Sequence, residues 1–207
     1  MTPGAPSRSL ADAGAAVAAP RIAVLAAAAG CAALTARPLL LGVGGAGPAP
    51  VLTVLFLCLL AVSLLWPPAA ASISGQAPRP WTVPPAGRAA VLAVGVGAFL
   101  VGRVLVAGSP AAQPATAFLV GLNTLAAVAE EAFFRRLVYG ALLAGGPVLA
   151  VGGSAVLFAA VHVTVYGLWV LPLDLAAGLV LGWQRQATGS WAVPAVTHVV
   201  ANLLVVL

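Results

Sequence analysis

Two adjacent carboxylates and two arginines lie together in a sequence that is otherwise strongly apolar. Glu130 and Glu131 precede Arg135 and Arg136, and the two glutamates are half of the four acidic residues in the chain. On an α-helix, Glu131 and Arg135 share a face and can form an ion pair, whereas Glu130 projects about 100° away. The spacing therefore predicts one glutamate in a structural ion pair and one that is left freer for chemistry.

Two histidines and an asparagine are the other candidates for a reactive site. Phe158 and His162 are four residues apart, as are His198 and Asn202, so each pair shares one face of a helix. All four lie in apolar segments, where polar side chains mark functional sites or hold neighbouring helices together. We expect these helices and the glutamate helix to converge on one hydrated cavity. A purely structural use of the polar groups is the alternative.

These residue types are suited to the hydrolysis of an amide or ester bond. A carboxylate in a cavity of low dielectric can act as a general base on water, and a carboxamide can donate a hydrogen bond to an oxyanion. No serine or cysteine nucleophile accompanies them in an obvious motif. We expect no cofactor, but Glu130, His162 and His198 are also ligands that zinc accepts. The residues leave open a metal-free attack by water and a zinc-assisted one.

Asp174 and Phe158 have roles that the sequence pattern leaves open. Asp174 is another acid within an apolar segment, and Arg103 is a candidate to neutralise it. We interpret Asp174 as structural. Phe158 either packs in the core or forms the wall that orients a catalytic group.

The composition predicts a membrane protein. Hydrophobic residues make up 62% of the chain and charged residues 6%, whereas soluble domains have roughly 25% charged residues. So few charges would not cover the surface of a soluble fold. We therefore predict an all-α polytopic membrane helix bundle with about seven transmembrane helices, within a range of six to eight.

The apolar segments divide the chain into three parts. Residues 1–20 are predicted to be a disordered cytoplasmic tail, residues 21–110 to be N-terminal transmembrane helices of unassigned role, and residues 111–207 to be a catalytic helix core. Most of the segments are long enough to cross an apolar layer of ~30 Å. The predicted spans are 22–41, 51–66, 89–107, 116–143, 148–165, 168–183 and 191–207.

The arginines predict the orientation in the membrane. They are scattered singly and not clustered, which argues against a nucleic-acid partner and favours topology signals. With seven spans and a cytoplasmic N-terminus, Arg37 and Arg103 fall outside, whereas five arginines are cytoplasmic: Arg8, Arg21, Arg79, Arg88 and Arg185. The absence of lysine and the abundance of alanine, glycine and proline suggest a GC-rich coding sequence. We predict a multi-pass protein of a bacterial plasma membrane with its N-terminus inside.

Three motifs in this order resemble the CPBP family of intramembrane proteases, which includes type II CAAX prenyl endopeptidases, bacteriocin-processing and bacteriocin-immunity proteins, and Abi proteins. The motifs are Glu130-Glu131-x-x-x-Arg135, Phe158-x-x-x-His162 and His198-x-x-x-Asn202. The stretches Gly178 to Trp183 and Thr188 to Pro194 are also similar to the family. The resemblance covers about residues 115–205.

The resemblance implies a helical bundle with a conical cavity that opens toward the cytoplasm. It implies that Glu130 activates water with the help of His162, that His198 and Asn202 stabilise the oxyanion, and that Glu131 and Arg135 support them. It also implies a membrane-embedded or lipidated peptide as substrate. The predicted function is therefore an intramembrane endopeptidase. The alternative is a non-catalytic immunity or partner-binding regulatory protein on the same fold.

Overall fold

The computed structural model describes residues 10–41, 48–65, 83–105 and 116–206. Every secondary-structure element in these ranges is helical, which confirms the all-α class. Ala132–Val138 is π-helical, and Leu143–Gly145 and Leu168–Val170 are short 3-10 turns. The α-helices are α1 (Leu10–Thr35), α2 (Arg37–Leu41), α3 (Pro48–Leu65), α4 (Pro85–Leu105), α5 (Ala117–Glu131), α6 (Tyr139–Leu142), α7 (Pro147–Tyr166), α8 (Leu171–Thr188) and α9 (Ala192–Val206).

The start of the chain differs from its prediction. Helix α1 begins at Leu10, so residues 10–20 are helical and not part of a disordered tail. Six of these eleven residues are alanine, the residue with the highest helix propensity, which favours a helix in this stretch. Residues 1–9 of the predicted tail lie outside the described residues.

Several helices have the length and composition of membrane spans. Among the described residues, three helical stretches are long and apolar enough to cross a membrane: Pro85–Leu105, Ala117–Gly145 and Pro147–Tyr166. Large apolar side chains face outward, for example Leu65, Leu105 and Val148. Buried polar residues and an apolar exterior are the arrangement expected of a bundle in lipid. The chain is therefore an integral membrane protein, and the count of about seven spans stays a prediction.

Helices α7 and α8 pack closely against each other. A Cβ atom added to Gly178 would lie 2.9 Å from the Cα of Ala155, so a glycine is needed for the two backbones to approach this closely. The close contact fixes α8 against α7, the helix that carries His162.

Aromatic side chains form a layer in the middle of the bundle. Phe133 and Phe134 pack edge to face with ring centroids 4.9 Å apart, and Phe134 packs in the same way against Phe158 at 5.4 Å. Leu34 of α1 and Phe56 of α3 complete this buried cluster. The N-terminal helices are therefore walls of the same core that the C-terminal helices form.

Buried polar side chains tie the helices together at one end of the bundle. Gln184 of α8 donates to the carbonyl of Val91 at 3.0 Å and to the hydroxyl of Thr197 at 2.9 Å. Arg185 Nε donates to the carbonyl of Arg135 at 2.8 Å. Buried hydrogen bonds of this kind fix neighbouring helices in register, so α4, α8 and α9 hold one another in place.

Candidate functional site

A cavity of about 780 Å³ lies among the helices, and several predicted site residues line it. Glu130, Phe158, His162, His198 and Asn202 all contribute to its wall. The remaining lining is mostly apolar and includes Leu52, Phe56, Phe99, Leu122 and Val180. The structure thus brings polar groups from α5, α7 and α9 to one largely apolar chamber. Glu131 and Arg135 lie behind it, fully buried.

Glu130 has two neighbours at the cavity wall. Arg37 Nη1 donates to Glu130 Oε1 at 3.2 Å. The Nε2 atom of His162 lies 3.7 Å from Glu130 Oε2, which is too long for a direct hydrogen bond. Glu130 therefore pairs with a cation that the helix spacing does not predict. Its second carboxylate oxygen still faces His162 and the cavity.

Glu131 is enclosed by two partners and has no exposed surface. Arg135 Nε donates to Glu131 Oε2 at 3.1 Å, the pair that the four-residue spacing predicts. The Nδ1 atom of His198 lies 3.0 Å from Glu131 Oε1. Arg135 Nη1 also donates to the hydroxyl of Ser154 at 3.1 Å. This network links the glutamate helix to α7 and α9.

A backbone contact of His162 assigns its ring tautomer. The Nδ1 atom lies 2.7 Å from the carbonyl oxygen of Phe158, and a carbonyl only accepts, so Nδ1 carries the hydrogen. In the neutral ring the lone pair is then on Nε2, the atom that faces Glu130. His162 can therefore accept a proton on the side of the glutamate.

His198 and Asn202 form the opposite part of the wall. Since Nδ1 of His198 contacts the Glu131 carboxylate, Nε2 is the ring nitrogen that can meet a ligand in the cavity. Asn202 Nδ2 donates to the backbone carbonyl of Asn123 at 3.3 Å, which fixes the carboxamide toward α5. The asparagine is partly buried and lines the cavity with His198. Asn202 can direct an N–H toward a bound group, and His198 can do the same from Nε2 when both of its ring nitrogens carry hydrogen.

Phe158 packs against both histidines. Its ring centroid lies 4.7 Å from that of His162 and 5.8 Å from that of His198. The guanidinium of Arg135 lies 5.3 Å from the centre of the ring, within the range of a cation–π contact. Of the two roles that the sequence left open, the structure combines both: Phe158 packs in the buried core and forms part of the cavity wall beside the histidines.

Arg37 is the site residue that sequence reasoning missed. The sequence pattern predicts a topology signal outside the membrane, but only 7% of the surface of Arg37 is exposed and it faces the cavity. Its Nε donates to the carbonyl of Leu34 at 2.9 Å, while Nη2 is buried without a hydrogen-bond partner. The sequence does contain one signal for this role. An arginine that lies in an apolar segment and belongs to none of the family motifs needs a counter-ion if it is buried. Helix α2 thus supplies a cation to the site.

Asp174 also belongs to the cavity. Its Oδ2 atom lies 3.7 Å from His162 Nδ1, and its side chain lines the same chamber as Arg103. The sequence interpretation named Arg103 as a candidate partner of Asp174, and the structure adds His162 as a further neighbour of this carboxylate. The histidine therefore lies between two carboxylates, Glu130 and Asp174.

The backbone changes from α to π directly after Glu131. Six of the seven side chains in Ala132–Val138 are buried, including Phe133, Phe134 and Arg135. A π-helical turn is wider than an α-helical one and is frequent at functional sites. The wider turn accommodates two phenylalanines and an arginine that are all enclosed by neighbouring helices. Periodicity in the sequence predicts a helix here but not this change of pitch.

The described residues do not offer a preformed metal site. No group of three or more histidine, cysteine, aspartate or glutamate side chains among them has the arrangement to hold a metal ion. Of the proposed zinc ligands, Glu130 contacts Arg37 and His198 contacts Glu131. Zinc binding stays a prediction.

Comparison with known protein families identifies the C-terminal part of the chain. Residues 112–204 match the family model described as type II CAAX prenyl endopeptidase Rce1-like. The match contains all three sequence motifs and confirms the family predicted from them. No curated protein and no solved structure matches the chain.

Proposed function

We propose that this chain, whose residues 112–204 belong to the type II CAAX prenyl endopeptidase Rce1-like family, is an intramembrane endopeptidase that uses a glutamate-activated water. The observation that carries the proposal is the convergence of Glu130, His162, His198 and Asn202 on one cavity. Its mostly apolar wall suits a membrane-embedded or lipidated peptide. The family itself indicates a protease, and the mechanism is our inference.

In the proposed reaction, Glu130 is the general base. A water molecule bound at Glu130 Oε2 gives a proton to the carboxylate while its oxygen attacks the carbonyl carbon of the scissile peptide bond. His162 faces the same oxygen through Nε2 and can share that proton. The proton then passes to the leaving amine as the C–N bond breaks, which regenerates the ionised glutamate.

The tetrahedral intermediate carries a negative charge on the former carbonyl oxygen. The amide N–H of Asn202 is a neutral donor for this oxyanion. His198 donates from Nε2 when its ring is protonated, while its Nδ1 is directed at the carboxylate of Glu131. Arg135 in turn balances the charge of Glu131. The buried network behind the cavity thus positions a donor without entering the reaction.

Peptide cleavage by the purified protein in nanodiscs tests this proposal. Wild type and Glu130→Gln would be incubated with a panel of lipidated and membrane-spanning peptides, and the products identified by mass spectrometry. Loss of a general base lowers turnover by ~10²–10⁴-fold, so we expect products from wild type and almost none from the variant. A third arm with a chelator followed by added zinc tests the metal-assisted alternative.

Ser63→Ala is a matched control for this experiment. The Ser63 hydroxyl is buried and donates to the carbonyl of Leu59 in its own helix, and the residue does not line the cavity. Cleavage by this variant should equal that of wild type. Equal cleavage by wild type and Glu130→Gln would rule out the glutamate mechanism. An inactive wild type across the whole panel would favour the non-catalytic regulatory alternative.

A further inference from the structure

Asp174 lines the cavity, yet the reaction proposed above gives it no part. It lies in the first turn of α8, and its Oδ2 atom is 3.7 Å from Nδ1 of His162. Among the described residues, this oxygen is buried and has no hydrogen-bond partner. A buried carboxylate oxygen without such a partner is costly. The presence of Asp174 at this position therefore requires a reason other than stability.

The packing of α8 directs Asp174 toward α7. Asp174, Gly178 and Gly182 are spaced four residues apart, so they share one face of α8. A Cβ atom added to Gly178 would lie 2.9 Å from the Cα of Ala155, and one added to Gly182 would also meet α7, at 3.1 Å. This glycine face is therefore the one that packs on α7, and Asp174 continues it by one turn to His162.

The start of a helix tolerates an acid, but this does not account for the position of Asp174. The N-terminus of a helix carries a partial positive charge that stabilises a carboxylate in the first turn. An acid at the neighbouring Leu173, which is 43% exposed, would gain the same stabilisation at a more open position. The side chain of Asp174 is instead 20% exposed and lies against His162. The inward position points to a role in the site.

The ring of His162 is held between two aromatic residues of its own helix. Phe158, one turn before it, has its ring centroid 4.7 Å away, and Tyr166, one turn after it, stacks at 6.0 Å with an angle of 10° between the rings. Nδ1 also donates to the carbonyl of Phe158 at 2.7 Å. The two ring nitrogens then face different acids, Nε2 toward Glu130 and Nδ1 toward Asp174.

We propose that Asp174 is a positioning residue that acts through His162, because its negative charge beside Nδ1 favours the positively charged ring that forms when Nε2 takes up a proton. This inference rests on the proposed function. As the oxygen of water bonds to the carbonyl carbon, its proton moves to the space between Glu130 and Nε2 of His162. The proton then passes to the leaving amine as the C–N bond breaks. Asp174 gives and takes no proton in this sequence.

The separate effects of Asp174→Asn on kcat and KM are the first test. The variant keeps the shape of the side chain and loses its charge. We expect kcat to fall by roughly 10- to 100-fold, between the effects of two charges ~4 Å apart in water and in a protein, while KM changes little. Asp174→Glu keeps the charge and should recover part of kcat. A raised KM with an unchanged kcat would show that Asp174 binds substrate directly, which would overturn the proposal.

A double-mutant cycle tests whether Asp174 acts through His162. In His162→Gln the ring is absent, so adding Asp174→Asn should cause no further fall in kcat. A further fall by the same factor as in the wild-type background would overturn the proposal. If His162→Gln forms no more product than Glu130→Gln, the rescue decides instead, and a glutamate at position 174 that recovers nothing would overturn it. Thr164→Val is the control, because its hydroxyl donates only within α7 and the residue does not line the cavity.

Thermal unfolding in nanodiscs separates this role from a structural one. A brace between helices would make Asp174→Asn less stable than wild type. Because Oδ2 has no hydrogen-bond partner and shares the chamber with the Glu130 carboxylate, we expect Tm to stay the same or rise. A lower Tm with an unchanged kcat would overturn the proposal. Equal turnover by wild type and Asp174→Asn would overturn this inference alone, whereas a wild type that cleaves no peptide would overturn the proposed function with it.

Discussion

Glu130 and Glu131 are adjacent in sequence, yet they lie in different environments. Glu131 is fully buried, and both of its oxygens have partners, Arg135 and His198. Glu130 lines the cavity, and one of its oxygens lies beyond hydrogen-bond distance of His162. The helix rotates by about 100° per residue, so one peptide bond separates an ion pair behind the cavity from a second one, between Glu130 and Arg37, that lines it.

This difference separates the two kinds of contribution that charged residues make in a membrane. A buried charge with all its partners stabilises the helix arrangement, and removing one partner leaves the other charge uncompensated. A charge at a cavity wall reaches water and substrate, so removing it affects the reaction more than the fold. Variants of the buried network should therefore lose stability, and variants of the cavity wall should lose activity.

The largest effect is expected for Arg135→Met. The change removes the partner of Glu131 and leaves a fully buried carboxylate, which typically costs ~3–5 kcal/mol. We expect a large loss of thermal stability of the purified protein in nanodiscs. Glu130→Gln, measured in parallel, should lose much less, because its carboxamide keeps the shape and an oxygen that can accept from Arg37 at the cavity wall. Equal losses for the two variants would contradict the division between a structural and a reactive glutamate.

The next largest effect is expected for Asn202→Ala, measured as peptide turnover. Loss of one oxyanion donor lowers kcat by ~10²–10³-fold, while KM should change little because the donor acts mainly in the transition state. Asn123→Ala is a matched control. Its side chain also lines the cavity, but it donates to the carbonyl of Leu119 in its own helix, and Asn202 contacts only its backbone oxygen. Similar losses of turnover in both variants would remove the oxyanion role.

A smaller effect is expected for Arg37. A hydrogen bond to a charged group contributes about 1.5–3 kcal/mol, so Arg37→Gln should lower turnover by roughly 10- to 100-fold, since each 1.4 kcal/mol is a factor of ten. The reason is that Glu130 loses the cation that orients its carboxylate. Arg37→Lys keeps the charge and should recover part of the activity. A lysine variant as weak as the glutamine variant would indicate that the guanidinium shape matters more than its charge.

The sequence predicted the parts of this site that depend on local spacing. The pair of Glu131 and Arg135 follows from a separation of four residues, and the helices follow from apolar segments of membrane length. The partner of Glu130 did not follow, because Arg37 lies 93 residues away. An isolated arginine near the end of an apolar segment has the same local pattern whether it faces lipid headgroups or a buried acid. Its partner depends on tertiary packing alone.

The contact between His198 and Glu131 shows the same limit. The two residues are 67 positions apart, and the spacing of His198 and Asn202 predicts a shared face but not what that face meets. The π-helical turn after Glu131 also has no signal in the apolar pattern, since nearly every residue of the segment is buried. Long-range packing, and not local propensity, determines the pitch there.

The smallest effect is expected for Ser154→Ala, which removes one hydrogen-bond partner of Arg135 in the buried network. The Ser154 hydroxyl accepts from Arg135 Nη1 at 3.1 Å, and Nη2 of the same guanidinium is already buried without a hydrogen-bond partner. In Ser154→Ala, Nη1 would also lack this partner, which should lower the free energy of unfolding by about 1–3 kcal/mol, the penalty for a buried polar group left unsatisfied. Ser63→Ala is the comparison, because its buried hydroxyl donates only to a helix carbonyl. Thermal unfolding of both variants measures the difference. If Ser154→Ala is no less stable than Ser63→Ala, the arginine does not need its full set of acceptors, and the contrast between the two glutamates rests on burial alone.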